Sequence, residues 1–163
     1  LGMLKKYCHG NGPQLTAADL PEDHPLKIIG NGLGDRVTSA YENLEFDKAC
    51  EEIFTLVRAS NKYVDESAPW VLFKQKQESE VKKVLYAVLE SVRLSAYLLS
   101  PIIPNLSSDI YKQLGFSFDF NNKTQNLEAA LFSKHSQWGK LSANQNLGKA
   151  RPIFSKLELP SEN

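Results

Sequence analysis

Few residues in this chain could do chemistry, and their spacing argues against most of it. Asp65-Glu66 is the adjacent carboxylate pair best placed for acid–base work. Successive helix positions point about 100° apart, so the two cannot flank one reacting centre, and a solvated helix end accounts for them. Cys8 and Cys50 stand alone without a CxxC spacing, which reads as two reduced thiols in an intracellular protein. His9, His24 and His135 show no ligand spacing with each other or with the cysteines, so no metal site is expected. The chain has no GxGxxG, no Walker-type phosphate loop, no HExxH and no GxSxG. Lys5-Lys6 and Lys82-Lys83 read as solvated faces first and as phosphate contacts a distant second. Flat aromatic surface remains. By residue type alone, Trp70, just past Pro69, is a partly buried core anchor, and Trp138, beside Gly139, is a packing residue.

The elements that must position these groups are helical. With 163 residues, 42% of them apolar and 23% charged, the chain has the length and balance of one globular domain, 1–163. No apolar run approaches the ~18 residues of a membrane span. Nineteen basic and nineteen acidic residues cancel. A protein holding nucleic acid mainly by phosphate neutralisation carries a basic excess, so this balance excludes non-specific binding and leaves room for a small site built on stacking.

Leu1 to Cys8 reads as the last turns of a helix, stopped by Gly10-Asn11-Gly12-Pro13. That opening, without Met, suggests a segment excised from a longer protein. Pro13 to Pro25 is a connector. Pro25 can open a helix, but Gly30, Gly32 and Gly34 each cost about 1 kcal/mol inside one, which places the regular helix at Asp35 to Asn43. Phe46, Ala49, Cys50, Ile53, Leu56, Val57, Ser60 and Val64 form the stripe of an amphipathic helix that Pro69 ends. A second helix spans Glu78 to Leu99, with Val81, Val84, Leu85, Val88, Val92, Ser95 and Leu99 as its apolar face. A shorter one follows Pro104, with Leu106, Ile110 and Leu114 inward and Gly115 as its stop. Leu127 to Phe132 is a short apolar piece, and Ile153, Leu157 and Leu159 form an extended tail. The fold class is all-α, a helical bundle of about four to five helices with short connections.

One stretch says more. Asn61-Lys62-Tyr63-Val64-Asp65-Glu66-Ser67-Ala68-Pro69-Trp70 resembles the NxYxxxxxPW pattern, followed by a short link to the next helix, of methionyl-tRNA synthetase anticodon-binding domains. Leu72-Phe73-Lys74, Tyr41-Glu42-Asn43-Leu44, Lys5-Lys6-Tyr7 and the run from Leu99 to Tyr111 are similar to the same family. The SPxxPxLxxxIYxxLG segment (Ser100 to Gly115) is common to several class I synthetases, whereas Ala68-Pro69-Trp70 in its Asn61 and Tyr63 frame points to methionine. Residues around Leu72 to Gln75 and Trp138-Gly139 look closest to bacterial or plastid forms.

The resemblance reverses the reading of Trp70. In that family the tryptophan here offers its ring to a base of the CAU anticodon, and unpaired anticodon bases can splay onto such a platform. It also implies that Asn61 and Tyr63 hydrogen-bond their helix to a neighbour while Pro69 sets the angle of Trp70. Base identity in the family comes from an asparagine and an arginine on the first helix, positions just before Leu1. The implied parent attaches methionine to tRNA with ATP and Mg, using motifs absent here. Its partners are the tRNA(Met) anticodon loop and a catalytic domain of the same polypeptide, in the cytoplasm or a plastid stroma. Two rivals remain: the same domain from a synthetase for leucine, valine, isoleucine or cysteine, and a helical protein-interaction module without an RNA role.

Overall fold

In a computed structural model, residues 2–117, 120–121 and 134–153 are described. The expected apolar piece at 127–132, together with Phe118, Leu157 and Leu159, lies outside them. Among the described residues there is no strand. Seven helices follow in order: α1 (Gly2–Tyr7), α2 (Pro25–Gly30), α3 (Leu33–Glu42), α4 (Phe46–Ser67), α5 (Pro69–Lys74), α6 (Glu78–Leu99) and α7 (Pro104–Gln113), with a 3-10 turn at Ala17–Asp19. Four of these have ten or more residues, and three are short. The all-α bundle expected from periodicity is what the chain forms.

α6 is the axis, packed against α1, α2, α4, α5 and α7. From Val84 to Leu98 only Val88 and Val92 escape full burial. This corrects the expected face. Periodicity predicts Val88 and Val92 inward, yet they border an open groove of about 180 Å³ with Met3, Ile110, Leu114 and Ile153. A helix wrapped by neighbours buries its whole circumference, so a stripe cannot identify the inward side.

α4 buries a narrower stripe than expected: Ala49, Ile53, Leu56 and Ser60. Phe46, at its first position, stays 50% exposed and meets Tyr41 at 5.9 Å between ring centroids. On α7 the deep residues are Ser107, Ser108 and Tyr111, while Leu106 and Ile110 are only half-buried. Ser108 Oγ accepts from Phe120 N–H at 3.1 Å, and the Tyr111 hydroxyl lies 3.3 Å from an Arg93 guanidinium nitrogen of α6.

The glycines at 30 to 34 delay nothing. α2 runs to Gly30, Gly32 turns left-handed at φ 68, and α3 starts at Leu33. A Cβ at Gly30 would enter the Trp138 ring, and one at Gly34 would overlap Ser136. Bare backbone at these positions admits a close neighbour, which offsets the helix penalty of glycine. That neighbour is a strap, residues 134–153, lying across the bundle.

The strap is tied at several points. Gly12 N–H donates to Gln145 O at 2.8 Å, and Asn144 N–H to Pro13 O at 3.0 Å. Tyr86 Oη donates to Leu141 O at 3.1 Å. Deepest of all is a fully buried ion pair within α6, Arg93 Nη2 to Glu90 Oε1 at 2.7 Å. Glu90 accepts the backbone N–H groups of Gly139, Lys140 and Leu141, and Arg93 donates to the carbonyls of His135 and Gln137. Burial would lower the Arg93 pKa, but the charge and hydrogen bonds of Glu90 outweigh it and hold the guanidinium above its ordinary range. Trp138 is 9% exposed, the packing residue expected.

Candidate functional site

The turn between α4 and α5 is built by two residues. Pro69 is buried at the first position of α5, where its missing N–H costs nothing. A residue before proline is disfavoured in right-handed helical geometry. Ala68 escapes to φ 41, ψ 62, capping α4 through its N–H to Val64 O at 3.0 Å. Its carbonyl accepts from Val71 N–H at 2.7 Å and starts α5. The expected link beyond Pro69 is thus itself helical over six residues.

Trp70, next in line, is 44% exposed. Among the described residues its indole has no ring partner and no hydrogen bond. An apolar residue of that size left half in solvent on a well-packed helix turn is a surface able to take a flat ligand.

One turn on, Phe73 is half-buried and stacks on Tyr7 of α1, with centroids 4.3 Å apart and planes tilted 34°. This stack joins α1 to α5. Lys6 lies over both rings, its Nζ 5.3 Å from the Tyr7 centroid and 5.8 Å from that of Phe73. Two carboxylates on neighbouring turns are engaged elsewhere, Glu66 facing Lys62 at 3.6 Å and Glu80 facing Lys83 at 2.9 Å, while Glu78 lines a hollow with Tyr7. Among the described residues, Lys6 has no carboxylate partner. The sequence read Lys6 as a solvated face first and placed Phe73 only in a stretch similar to the family, with no site role for either. Their signal was the spacing of Phe73 three positions after Trp70, which ties one ring to the core while the other faces water.

The remaining motif residues do not gather around Trp70. Tyr63 and His24 share a hydrogen bond of 3.0 Å between Oη and Nε2, joining α4 to the start of α2. Asn61 is exposed, beside a shallow groove lined by Val57, Val88 and Val92, and among the described residues its side chain bonds to no neighbouring helix. Two residues apart on a helix, Asn61 and Tyr63 face different neighbours.

His24 is 7% exposed. Burial lowers its pKa from the ordinary 6.5, Lys27 adds to the effect and Asp23 opposes it. Below that value the unfolded chain therefore binds more protons than the folded one, so stability drops as pH falls. His135, lowered chiefly by burial, acts in the same direction. The expected result is a melting temperature that falls between about pH 7 and about pH 5, with a His24 ring titration, followed by NMR, centred below 6.5. A midpoint at or above 6.5 would refute it.

Among the described residues no group of three His, Cys, Asp or Glu could hold a metal ion, and no helix is long and apolar enough to cross a membrane. What the site offers is an open indole at a helix turn and, one turn along α5, an ammonium over the Phe73 ring.

The family model for the anticodon binding domain of methionyl tRNA ligase matches residues 28–151. The methionine–tRNA ligase of Synechocystis sp. is 63% identical over 163 residues, which cover 99% of this chain and 31% of that protein. The chloroplastic/mitochondrial methionine–tRNA ligase of Arabidopsis thaliana is 38% identical over 165 residues, 99% of this chain and 25% of that protein. Among solved structures, apo methionyl-tRNA synthetase of Mycobacterium tuberculosis superposes with a TM-score of 0.77 at 25% identity, covering 97% of this chain and 30% of that one. The chain spans less than a third of the length of each of these relatives.

Proposed function

This chain belongs to the methionyl-tRNA ligase anticodon-binding domain family, and from that premise we propose that it reads the CAU anticodon of tRNA(Met) by stacking an unpaired base on Trp70. The observation that carries the reading is the half-exposed indole. Its base, Pro69 and Ala68, is locked by the α4 cap and by burial. A fixed backbone turn favours stacking because it need not be ordered on binding. A neutral chain suits this mode, since affinity then rests on a local contact more than on a basic surface. Pro69 sets the turn that presents Trp70, Tyr63 ties α4 to the start of α2, and neither they nor Asn61 touch RNA on this reading.

The parent protein on this reading is a methionine–tRNA ligase that activates methionine with ATP and transfers it to the tRNA 3′ end. ATP and Mg would be held by a catalytic domain of the same polypeptide, and the 163-residue chain alone would not aminoacylate. Relatives from a cyanobacterium and from a chloroplastic/mitochondrial enzyme favour cytoplasm or plastid stroma as the compartment.

The test is a fluorescence titration with a CAU anticodon stem-loop in a Trp138→Phe background, so that Trp70 alone reports. Quenching should accompany binding and weaken when the anticodon is changed. Trp70→Ala should lose about 1–3 kcal/mol of binding and cost less folding stability than the roughly 3–5 kcal/mol of truncating a fully buried tryptophan. Equal binding by both proteins would sink the stacking role.

A further inference from the structure

We propose that Lys6 is a phosphate-contact residue of the same RNA site, held in place by the Tyr7–Phe73 stack; the proposal rests on the anticodon reading of Trp70. Residues three apart on a helix have Cβ atoms about 5–6 Å from each other. Trp70 and Phe73 are so spaced on α5, and the Lys6 ammonium is 5.8 Å from the Phe73 ring. A base laid on the indole therefore brings its own or its neighbour's phosphate into the field of Lys6.

Three features separate Lys6 from an ordinary surface lysine. Its ammonium lies over two aromatic faces, which favour a cation there and narrow the directions it can take. It has no carboxylate partner among the described residues, so an incoming phosphate has no ion pair to displace. Finally, the Tyr7–Phe73 stack joins α1 to α5, the helix that carries Trp70, so one contact sets the cation beside the element bearing the stacking platform. The geometry divides the labour, with the indole binding the base face and the ammonium the backbone charge.

The readout is salt dependence, which a packing role leaves unchanged. Each phosphate contact on a single strand contributes about 0.7 to the slope of log K against log salt. Affinity of the chain for a CAU anticodon stem-loop is measured at several salt concentrations for the parent sequence, Lys6→Met, Lys6→Arg and Lys48→Met. Lys6→Met keeps an apolar stem over the rings and loses the charge. It should bind several-fold more weakly at low salt, with a slope shallower by about 0.7, while Lys6→Arg keeps the parent slope. Lys48, paired with Glu45 at the opposite end of α4, serves as control, and Lys48→Met should change nothing. A Lys6→Met slope equal to the parent's, with Trp70-dependent binding intact, overturns this proposal alone. Absence of any binding by the parent sequence, or binding indifferent to Trp70→Ala, sinks the anticodon reading and this proposal with it.

Discussion

Arg93→Met is expected to destabilise the chain by about 3–5 kcal/mol, the usual cost of stripping one partner from a buried ion pair. A domain has a total stability of about 5–15 kcal/mol, so a loss of this size removes a large part of it. The side chains of Arg93 and Glu90 are fully buried, and the guanidinium meets the carboxylate through two bonds, Nε to Oε2 at 2.9 Å and Nη2 to Oε1 at 2.7 Å. Its other donors serve the carbonyls of His135 at 2.8 Å and Gln137 at 2.7 Å. Without Arg93 the Glu90 charge is left buried and two strap carbonyls lose their donor. Arg93→Lys should fail almost as badly, because an ammonium cannot reproduce the planar fork.

The double variant Glu90→Leu/Arg93→Met sharpens this prediction. Replacing a whole buried ion pair by apolar residues is often neutral or stabilising. Here it should not recover, since Glu90 also accepts three backbone N–H groups at positions 139 to 141. The Leu141 donor would remain buried without a partner, at about 1–3 kcal/mol, and the half-buried donors of Gly139 and Lys140 would lose theirs as well. Urea unfolding followed by circular dichroism measures both variants. An unchanged midpoint for Arg93→Met, or full recovery in the double variant, would show that this pair does not hold the strap.

Neither residue stood out in the sequence, and the reason is physical. Periodicity reports helices that bury one side, so α4 was legible from Ala49 through Ser60, and the breaks before Pro69 and Pro104 and at Gly115 followed from backbone chemistry. On α6, which is surrounded, a Glu three positions before an Arg looks like any solvated pair. Only the strap, which approaches from some 40 or 50 positions along the chain, makes it internal. The same strap explains why Gly30 and Gly34 were misread as breaks. Their value lies in contact with Trp138 and Ser136, and no local pattern records it. At the candidate site, a family motif pointed to Trp70, and the structure leaves that ring open to solvent. Lys6 was not legible because its place depends on α1 meeting α5.

Gly115→Ala is the second large effect expected, and it separates two reasons for a glycine at one position. Glycine after a helix supplies the left-handed cap, and Gly115 has φ 83. If that were all, alanine would cost about 1–2 kcal/mol. The structure adds a contact: a Cβ here would overlap the carbonyl of Asn146, which is backbone and cannot rotate away. The segment bearing Asn146 is pinned on both sides, by Gly12 N–H on Gln145 O at 2.8 Å and by Gly148 N–H on Gln113 O at 3.1 Å. Overpacking of this kind costs about 1–3 kcal/mol, so the two terms together come to about 2–5 kcal/mol. Gly10 supplies the comparison. It has φ 89, and a Cβ there meets nothing within 4 Å, so Gly10→Ala should show the conformational cost alone. Urea denaturation of the two variants side by side measures the difference. A Gly115→Ala loss no greater than that of Gly10→Ala would mean the strap does not press on the end of α7.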